Sequence, residues 1–270
     1  MTNRLSIAIA GAAGRMGRQI IGAAAVRNHQ ITGGTEASDS PYLNEDLGVL
    51  AGIQPLGSTP SGTISAAAAK ADTWIDFTRP AVTLAALDAL TTSSVKTVVI
   101  GTTGFSSQDE EALTRHAERF AIVKAGNFSL GVALLSALTQ IAAEKLGDGW
   151  DIDIFDAHHR NKIDAPSGTA LMLGDAAAAG RGSTLEALKS APYDGPDAKR
   201  EDGKIGFASS RTGDIIGEHE VRFGSDTELI KLSHIALNRR VFAEGAIKAA
   251  EWASDQPPGH YVINDVLGLS

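Results

Sequence analysis

Two histidines, two basic residues and a serine–glycine–threonine turn fall within the short run HHRNKIDAPSGT, from His158 to Thr169. Imidazole and ammonium groups carry protons, and the free N–H groups of a helix start attract anions. Ile152, Ile154 and Phe155 lie among acidic residues just before the run and read as the end of a strand. Pro166 and Ser167 are helix-start residues, and Ala170 to Ala179 has high helix propensity. The run is therefore predicted as a loop between a strand and a helix. Lys162 follows His158 by four residues, and Ser167, Gly168 and Thr169 offer N–H and hydroxyl groups to a carboxylate. The arrangement suits a small dicarboxylate that must be protonated. The plainer alternative is a solvated polar loop with a capping serine. His158, His159 and Asp164 also invite a zinc reading, but adjacent histidines point apart in an extended chain and no third histidine has helix spacing to them. No metal is expected.

A second group lies near the N-terminus. Gly11, Ala12, Ala13, Gly14, Arg15, Met16 and Gly17 follow a predicted strand and open a predicted helix. Glycines there permit a tight turn and a close approach of backbone to a pyrophosphate, with the spacing G-x-x-G-x-x-G rather than G-x-G-x-x-G. Glu36 stands at the end of the second predicted strand, where a ribose-binding carboxylate belongs. A carboxylate accepts from the 2′-hydroxyl of NADH and repels the 2′-phosphate of NADPH. Ala37 supplies no cation, while Arg15 and Arg18 lie near enough in sequence to help. NADH is expected to serve at least as well as NADPH. Gly101, Thr102 and Thr103 follow the fourth predicted strand, and Ala125, Gly126, Asn127 and Phe128 follow the fifth. Both sit where the ligand crevice of a parallel sheet forms. Each has a plain alternative, a turn for the first and capping by Asn127 and Ser129 for the second. Thr78 reads as a cap for the helix that Pro80 begins, with a cofactor contact by Phe77 as the alternative.

The elements that must hold these groups alternate. Strands are predicted at 5–10, 30–35, 73–77, 96–100 and 121–124, with helices at about 17–27, 81–90 and 107–119 between them. Residues 37–71 read as a long loop with one short helix. This is the pattern of a parallel sheet with helices on both faces, a Rossmann-type α/β domain. After Asn127 the rhythm changes to a long helix at 130–146, the strand from Asp151, the loop, the helix from Ala170 and a surface loop at 191–203. Residues 213–223 and 227–236 read as two antiparallel strands, a helix covers 241–252, and a short tail follows. The second half is predicted as α+β with an open sheet. Residues 1–128 with 239–270 are expected as the dinucleotide-binding domain and 129–238 as the substrate and oligomerisation domain, with hinges near 127–129 and 238–240. His219 and His234 fall in the late strands and read as structural or interfacial.

The chain has 270 residues, enough for two domains, and its hydrophobic fraction of 43% can build real cores. A net charge of −8 makes it a poor general binder of nucleic acid or anionic membrane, so positive charge for an anionic substrate must be focused locally. There is no cysteine, which excludes disulfides and thiolate catalysis and fits a cytoplasmic location. Residues 1–4 are too few for a leader peptide, and the apolar helix near Val132 is too short and polar to span a bilayer.

Taken together, the motifs resemble the 4-hydroxy-tetrahydrodipicolinate reductase (dihydrodipicolinate reductase) family of diaminopimelate and lysine biosynthesis. The resemblance runs through GAAGRMG at Gly11, DFTRP at Asp76, GTTGF at Gly101, AGNFSLGV at Ala125, HHRNKIDAPSGTA at His158 and RTGDIIGEHE at Arg211. It implies a Rossmann-type domain, a second domain with an open mixed sheet, a C-terminal helix returning to the first domain, and a homotetramer built through the second sheet. It implies hydride transfer from NADH or NADPH to a cyclic imine dicarboxylate. His158 matches the family's proton donor/acceptor, Lys162 its proton donor, and His159, Gly168 and Thr169 its substrate contacts. Some members carry arginine after the acidic ribose residue and use NADPH readily; Ala37 departs from them. A dinucleotide-sensing regulator without chemistry is the competing function, and it would not need His158 and Lys162.

Overall fold

A computed structural model gives the fold and describes residues 4–269. Residues 1–3, part of the stretch read as too short for a leader, lie outside the described residues. The chain divides into two compact units, Met1–Ser129 with Arg240–Ser270, and Leu130–Arg239.

The first unit begins with β1 (Ser6–Ala10), α1 (Arg15–Val26) and β2 (Gln30–Thr35), a parallel strand pair joined through a helix. Two short helices follow, α2 (Leu47–Leu50) and α3 (Ile64–Ala68), where a single one was expected. The Asp46 side chain caps α2 and also accepts the N–H groups of Leu56 and Gly57, so one carboxylate folds the loop back on itself. The alternation continues with β3 (Thr73–Asp76), α4 (Pro80–Leu90), β4 (Thr97–Ile100), α5 (Ser107–His116) and β5 (Ala121–Lys124). A Ser106–Asp109 capping box opens α5, which stops at His116, three residues before the expected end. Strands β3 and β4 are wholly buried and read as apolar runs, as expected of a sheet covered on both faces.

The second unit runs through α6 (Leu130–Leu146), β6 (Asp151–His158), α7 (Gly168–Gly180), α8 (Leu185–Leu188), β7 (Ile205–Arg211), β8 (Glu218–Gly224) and β9 (Leu229–Ile235). Its sheet has the order β7-β6-β8-β9, with β6 and β7 parallel and the other pairs antiparallel. Ile152, Ile154, Val221 and Phe223 point from this sheet into a core shared with Leu135, Leu173 and Ala177 of α6 and α7. Two expectations change here. The strand expected over 213–223 starts only at Glu218, because Gly213 takes a positive φ of 57° in a turn with Asp214, and 215–217 are irregular. Strand β7 was not expected at all.

The chain then returns to the first unit through α9 (Arg240–Ala253), β10 (Gly259–Tyr261) and α10 (Ile263–Leu267), so the expected short tail contributes a strand and a helix. Strand β10 pairs with β5 and completes a six-stranded parallel sheet of order β10-β5-β4-β3-β1-β2. Helix α9 packs Ala243, Ala246, Ile247 and Ala250 into the core with Ile7, Ile9, Ile20 and Ile75. Its polar anchor is Glu251, which takes a two-pronged bond from Arg27 at 2.8 and 2.7 Å and a third from His29 Nε2 at 3.0 Å. His29 Nδ1 accepts the N–H of Leu5, so Nε2 carries the proton given to Glu251.

Glu251→Ala is expected to cost about 2 kcal/mol, chiefly because buried His29 loses its acceptor, while the exposed Arg27 can turn to water. Burial alone would raise the Glu251 carboxyl, but Arg27 and His29 reverse this and hold it below the ordinary range. The contribution is therefore present above the ordinary glutamate value of about 4.3 and is lost as the pH falls through the lower folded value. Urea unfolding of both proteins at neutral pH and in acid tests this; an equal difference at both would contradict it.

Candidate active site

In the first unit, the residues expected to hold a dinucleotide meet at the C-terminal edge of the sheet. Gly11 leaves β1 with φ 62°, and the N–H of Gly14 bonds back to its carbonyl at 2.9 Å. Gly14 is the N-cap of α1 without a side-chain bond, which leaves the positive end of the helix open to a phosphate. A Cβ on Gly17 would run into the carbonyl oxygens of Gly11 and Ala12, so the helix can sit this close to the turn only with glycine there. Ala12 and Ala13 are buried, Met16 is half-buried against the core, and Arg15 is exposed. Glu36 accepts the N–H of Ala13 at 2.7 Å, which seats its carboxylate at the turn. Arg18 is committed elsewhere: its Nε donates to the Ala13 carbonyl at 2.7 Å and its guanidinium lies 5.3 Å from the Tyr42 ring centre. Of the two arginines considered for a 2′-phosphate, Arg15 is the freer.

The loops after β3 and β4 are tied by a carboxylate that the sequence reading passed over. Asp76 is fully buried, and its Oδ1 accepts the Thr78 hydroxyl at 2.6 Å, the Thr78 N–H at 2.9 Å and the Thr102 hydroxyl at 3.3 Å. Burial pushes the Asp76 carboxyl up against the pull of these bonds. Thr78 was expected to cap α4; the N-cap is Arg79, without a side-chain bond, because the buried carboxylate takes the Thr78 hydroxyl instead. The Thr102 oxygen also accepts from Thr78 N–H and Thr83, both at 3.0 Å, so its side chain is spent within the protein and its backbone is what remains for a cofactor. Gly101 lies against the Phe77 ring, where a Cβ would collide. Phe128 is buried with its ring 5.4 Å from Phe77. Thr103 and Gly126 are exposed, Ala125 is half-buried, and Asn127 accepts the Ser129 N–H at 2.8 Å as a loop brace.

In the second unit, β6 ends at His158, buried beside Asp156. Asp156 Oδ2 accepts from His158 Nδ1 at 2.9 Å and from Arg211 at 3.0 Å, and Oδ1 accepts the Ser209 hydroxyl at 2.6 Å. Burial would raise Asp156, but the Ser209 bond and the charges of Arg211 and His158 hold it below the usual carboxylate range. His158 itself is lowered, because burial outweighs the attraction of Asp156, and Lys162 and Arg211 add to the effect. His219 stands edge-on to His158, 5.1 Å between ring centres, with its Nε2 3.3 Å from the Ser167 hydroxyl. Burial, then the neighbouring His158, lower His219 to about 4, so it stays neutral. It was read as structural or interfacial; it packs beside His158 and Ser167.

Beyond His158 the loop turns back through a Lys162 N–H to His159 carbonyl bond of 3.1 Å. Lys162 Nζ donates to Asp164 at 2.7 Å. His159 is half-buried. Ser167 is the N-cap of α7: its oxygen accepts the Ala170 N–H at 3.1 Å, the capping role weighed in the sequence. Gly168, exposed, and Thr169, half-buried, form the first turn of α7, the helix end that favours anions. Asp156, Ser209, Arg211 and His219 were missed as site residues. The one signal available was the RTGDIIGEHE stretch, which holds both Arg211 and His219.

A parallel sheet with a glycine turn at an open helix start, and a separate unit with an imidazole and an ammonium at the loop before a helix, are the parts of a nicotinamide dinucleotide-dependent oxidoreductase. Family models described as dihydrodipicolinate reductase match residues 5–128 with the N-terminal part and 131–267 with the C-terminal part. The chain belongs to the dihydrodipicolinate reductase family. It is 48% identical to the 4-hydroxy-tetrahydrodipicolinate reductase of Parvibaculum lavamentivorans over all of both chains, and 46% identical to one from Rhodopseudomonas palustris over 98% of each. A solved dihydrodipicolinate reductase from Paenisporosarcina sp. TG-14, with dipicolinate bound, shares the fold at a TM-score of 0.75 and 24% identity, covering 96% of this chain and 98% of that one. Among the described residues no three His, Cys, Asp or Glu side chains gather as a metal site, and no helix is long and apolar enough to cross a membrane.

Proposed function

We propose that this chain reduces 4-hydroxy-tetrahydrodipicolinate to tetrahydrodipicolinate in diaminopimelate and lysine biosynthesis, with His158 and Lys162 as its proton carriers. The observation that carries the assignment of roles is a neutral, carboxylate-held imidazole with the Lys162 ammonium near enough to act on it, in the loop that leads into α7. The 4-hydroxyl leaves as water, which gives a conjugated ring, and bound nicotinamide would supply the hydride that this ring takes up. The first turn of α7, with Gly168 and Thr169, receives a substrate carboxylate, and Lys162 exchanges Asp164 for the second negative charge. Lys162 delivers the proton that the reduced ring requires, neutral His158 accepts and passes on a proton at Nε2, and His159 lines the same loop. Two cations and a helix start around a dianion stabilise the charge that builds in the ring. Oxidation of NADH, followed by absorbance with enzymatically generated substrate, tests the activity; no turnover would overturn it.

The dinucleotide is held by the glycine turn and Glu36, with Gly101 to Thr103 and Ala125 to Phe128 supplying mainly backbone. NADH serves at least as well as NADPH. Glu36 stands at the turn and Ala37, exposed, offers a 2′-phosphate nothing. Ala37→Arg is expected to lower the KM for NADPH about tenfold, the size of one charge-assisted contact. Steady-state kinetics with both cofactors decide this, and an unchanged ratio would place the discrimination elsewhere. The protein works in the cytoplasm as a homotetramer joined through the second sheet. Supporting this, edge strand β9 and the second residue beyond it expose Leu229, Ile235 and Leu237, apolar groups an unpaired edge must cover. Light scattering of the purified protein checks the assembly.

A further inference from the structure

We infer that Asp156 and Arg211 form a positioning pair for the proton-transfer loop: Asp156 accepts the hydrogen bond of His158 Nδ1–H and leaves Nε2 to exchange a proton, while Arg211 holds Asp156 and the loop that carries Lys162. The inference rests on His158 being a proton carrier, and it names residues that act through it.

The geometry sets the tautomer. Asp156 is 1% exposed and receives donors at both oxygens, from Arg211 and Ser209, so it is a charged acceptor. A charged acceptor 2.9 Å from Nδ1 requires a proton on that nitrogen, so neutral His158 has its lone pair on Nε2. Nε2 faces the backbone of Gly217, where a Cβ would come within 3.2 Å of it, so a side chain there would crowd the exchanging atom. The charged and titratable groups around His158 come from every side: Asp156 on its own strand, Arg211 on β7, His219 on β8, and Lys162 in the loop.

Arg211 does two further things. Its Nη2 donates to the Asp164 carbonyl at 2.6 Å and its Nη1 to the Ser210 carbonyl at 2.7 Å. One guanidinium thus grips the strand before the loop, through Asp156, and the loop itself, through the residue that bonds Lys162. Both proton carriers take their position from the same pair.

The test uses the whole enzyme labelled with 15N-histidine, with His158 assigned by difference from His158→Gln. Wild-type His158 is expected as the Nδ1–H tautomer. Asp156→Leu fills similar space and accepts nothing; it is expected to lose that preference and to lower kcat by about a hundredfold, with the KM for NADH unchanged. Should it fail to fold, Asp156→Asn decides alone: its amide oxygen can still accept from Nδ1, but the negative charge is gone, and His158 is expected to titrate about one pH unit lower. A wild-type Nε2–H tautomer, or a His158 titration unmoved in Asp156→Asn, overturns the inference. So does a loss of rate in Asp156→Leu with an unchanged His158 spectrum. A changed tautomer with full turnover would instead support the positioning and refute His158 as a proton carrier.

Discussion

Lys162→Met is expected to lower kcat by about a thousandfold while leaving NADH binding intact. The substitution keeps the length of the side chain and removes its charge and its proton. Lys162 lies in the loop between β6 and α7, in the second unit, and donates to Asp164 at 2.7 Å. The residues proposed for the dinucleotide all belong to the first unit. Loss of the ammonium therefore removes charge stabilisation and proton delivery at the substrate without disturbing the glycine turn or Glu36. Stability should hold too, since the lysine–aspartate pair is partly exposed and such pairs contribute about 1 kcal/mol or less. Fluorescence titration with NADH beside steady-state rates separates the two effects. A parallel loss of cofactor affinity would falsify the role given to Lys162.

The ease with which this residue was found in the sequence, and the difficulty with its supports, have one physical origin. Strands and helices of the first unit announce themselves because each is local: β1 is a short apolar run, Gly11 to Gly17 has to turn, and α1 has one apolar face. The run from His158 to Thr169 is likewise contiguous, and its capping serine and helix start were readable from neighbours. Asp156 and Arg211 meet across two strands that are far apart in the chain, and nothing local marks the contact. Strand β7 escaped for a related reason. Its residues Gly206, Ala208, Ser209 and Ser210 lack the β-branched bulk that marks a strand. Two of them are small because of where they sit: a Cβ on Gly206 would collide with the Asp153 carboxylate and the Tyr193 ring, and Ser209 donates to Asp156. Thr78 was misread because a cap and a buried-carboxylate ligand look alike in sequence; only the burial of Asp76 separates them. The site is thus legible where chemistry is concentrated in one segment and hidden where the fold assembles it.

His158→Gln is expected to lower kcat about a hundredfold, less than Lys162→Met, because a water can relay a proton through the space an amide leaves. Glutamine can still donate to Asp156, so the end of β6 should keep its place and the fold its stability. What it cannot do is titrate. Burial holds the wild-type imidazole below its ordinary value of about 6.5, so His158 is neutral at pH 7 with Nε2 unprotonated. An imidazole that starts neutral begins the cycle as an acceptor. kcat/KM of the wild type should therefore fall on the acid side as His158 takes up a proton, at a pH below about 6.5. Asp156 limits how far below, since it favours the charged ring, while Lys162 and Arg211 pull the other way. His219, already lowered to about 4, titrates too far into acid to produce that limb. The limb should be missing from His158→Gln. Profiles of kcat/KM against pH for the two proteins decide the matter: an acid limb that survives the substitution assigns it to another group, and a wild-type rate that climbs as the pH falls makes His158 a donor from the start.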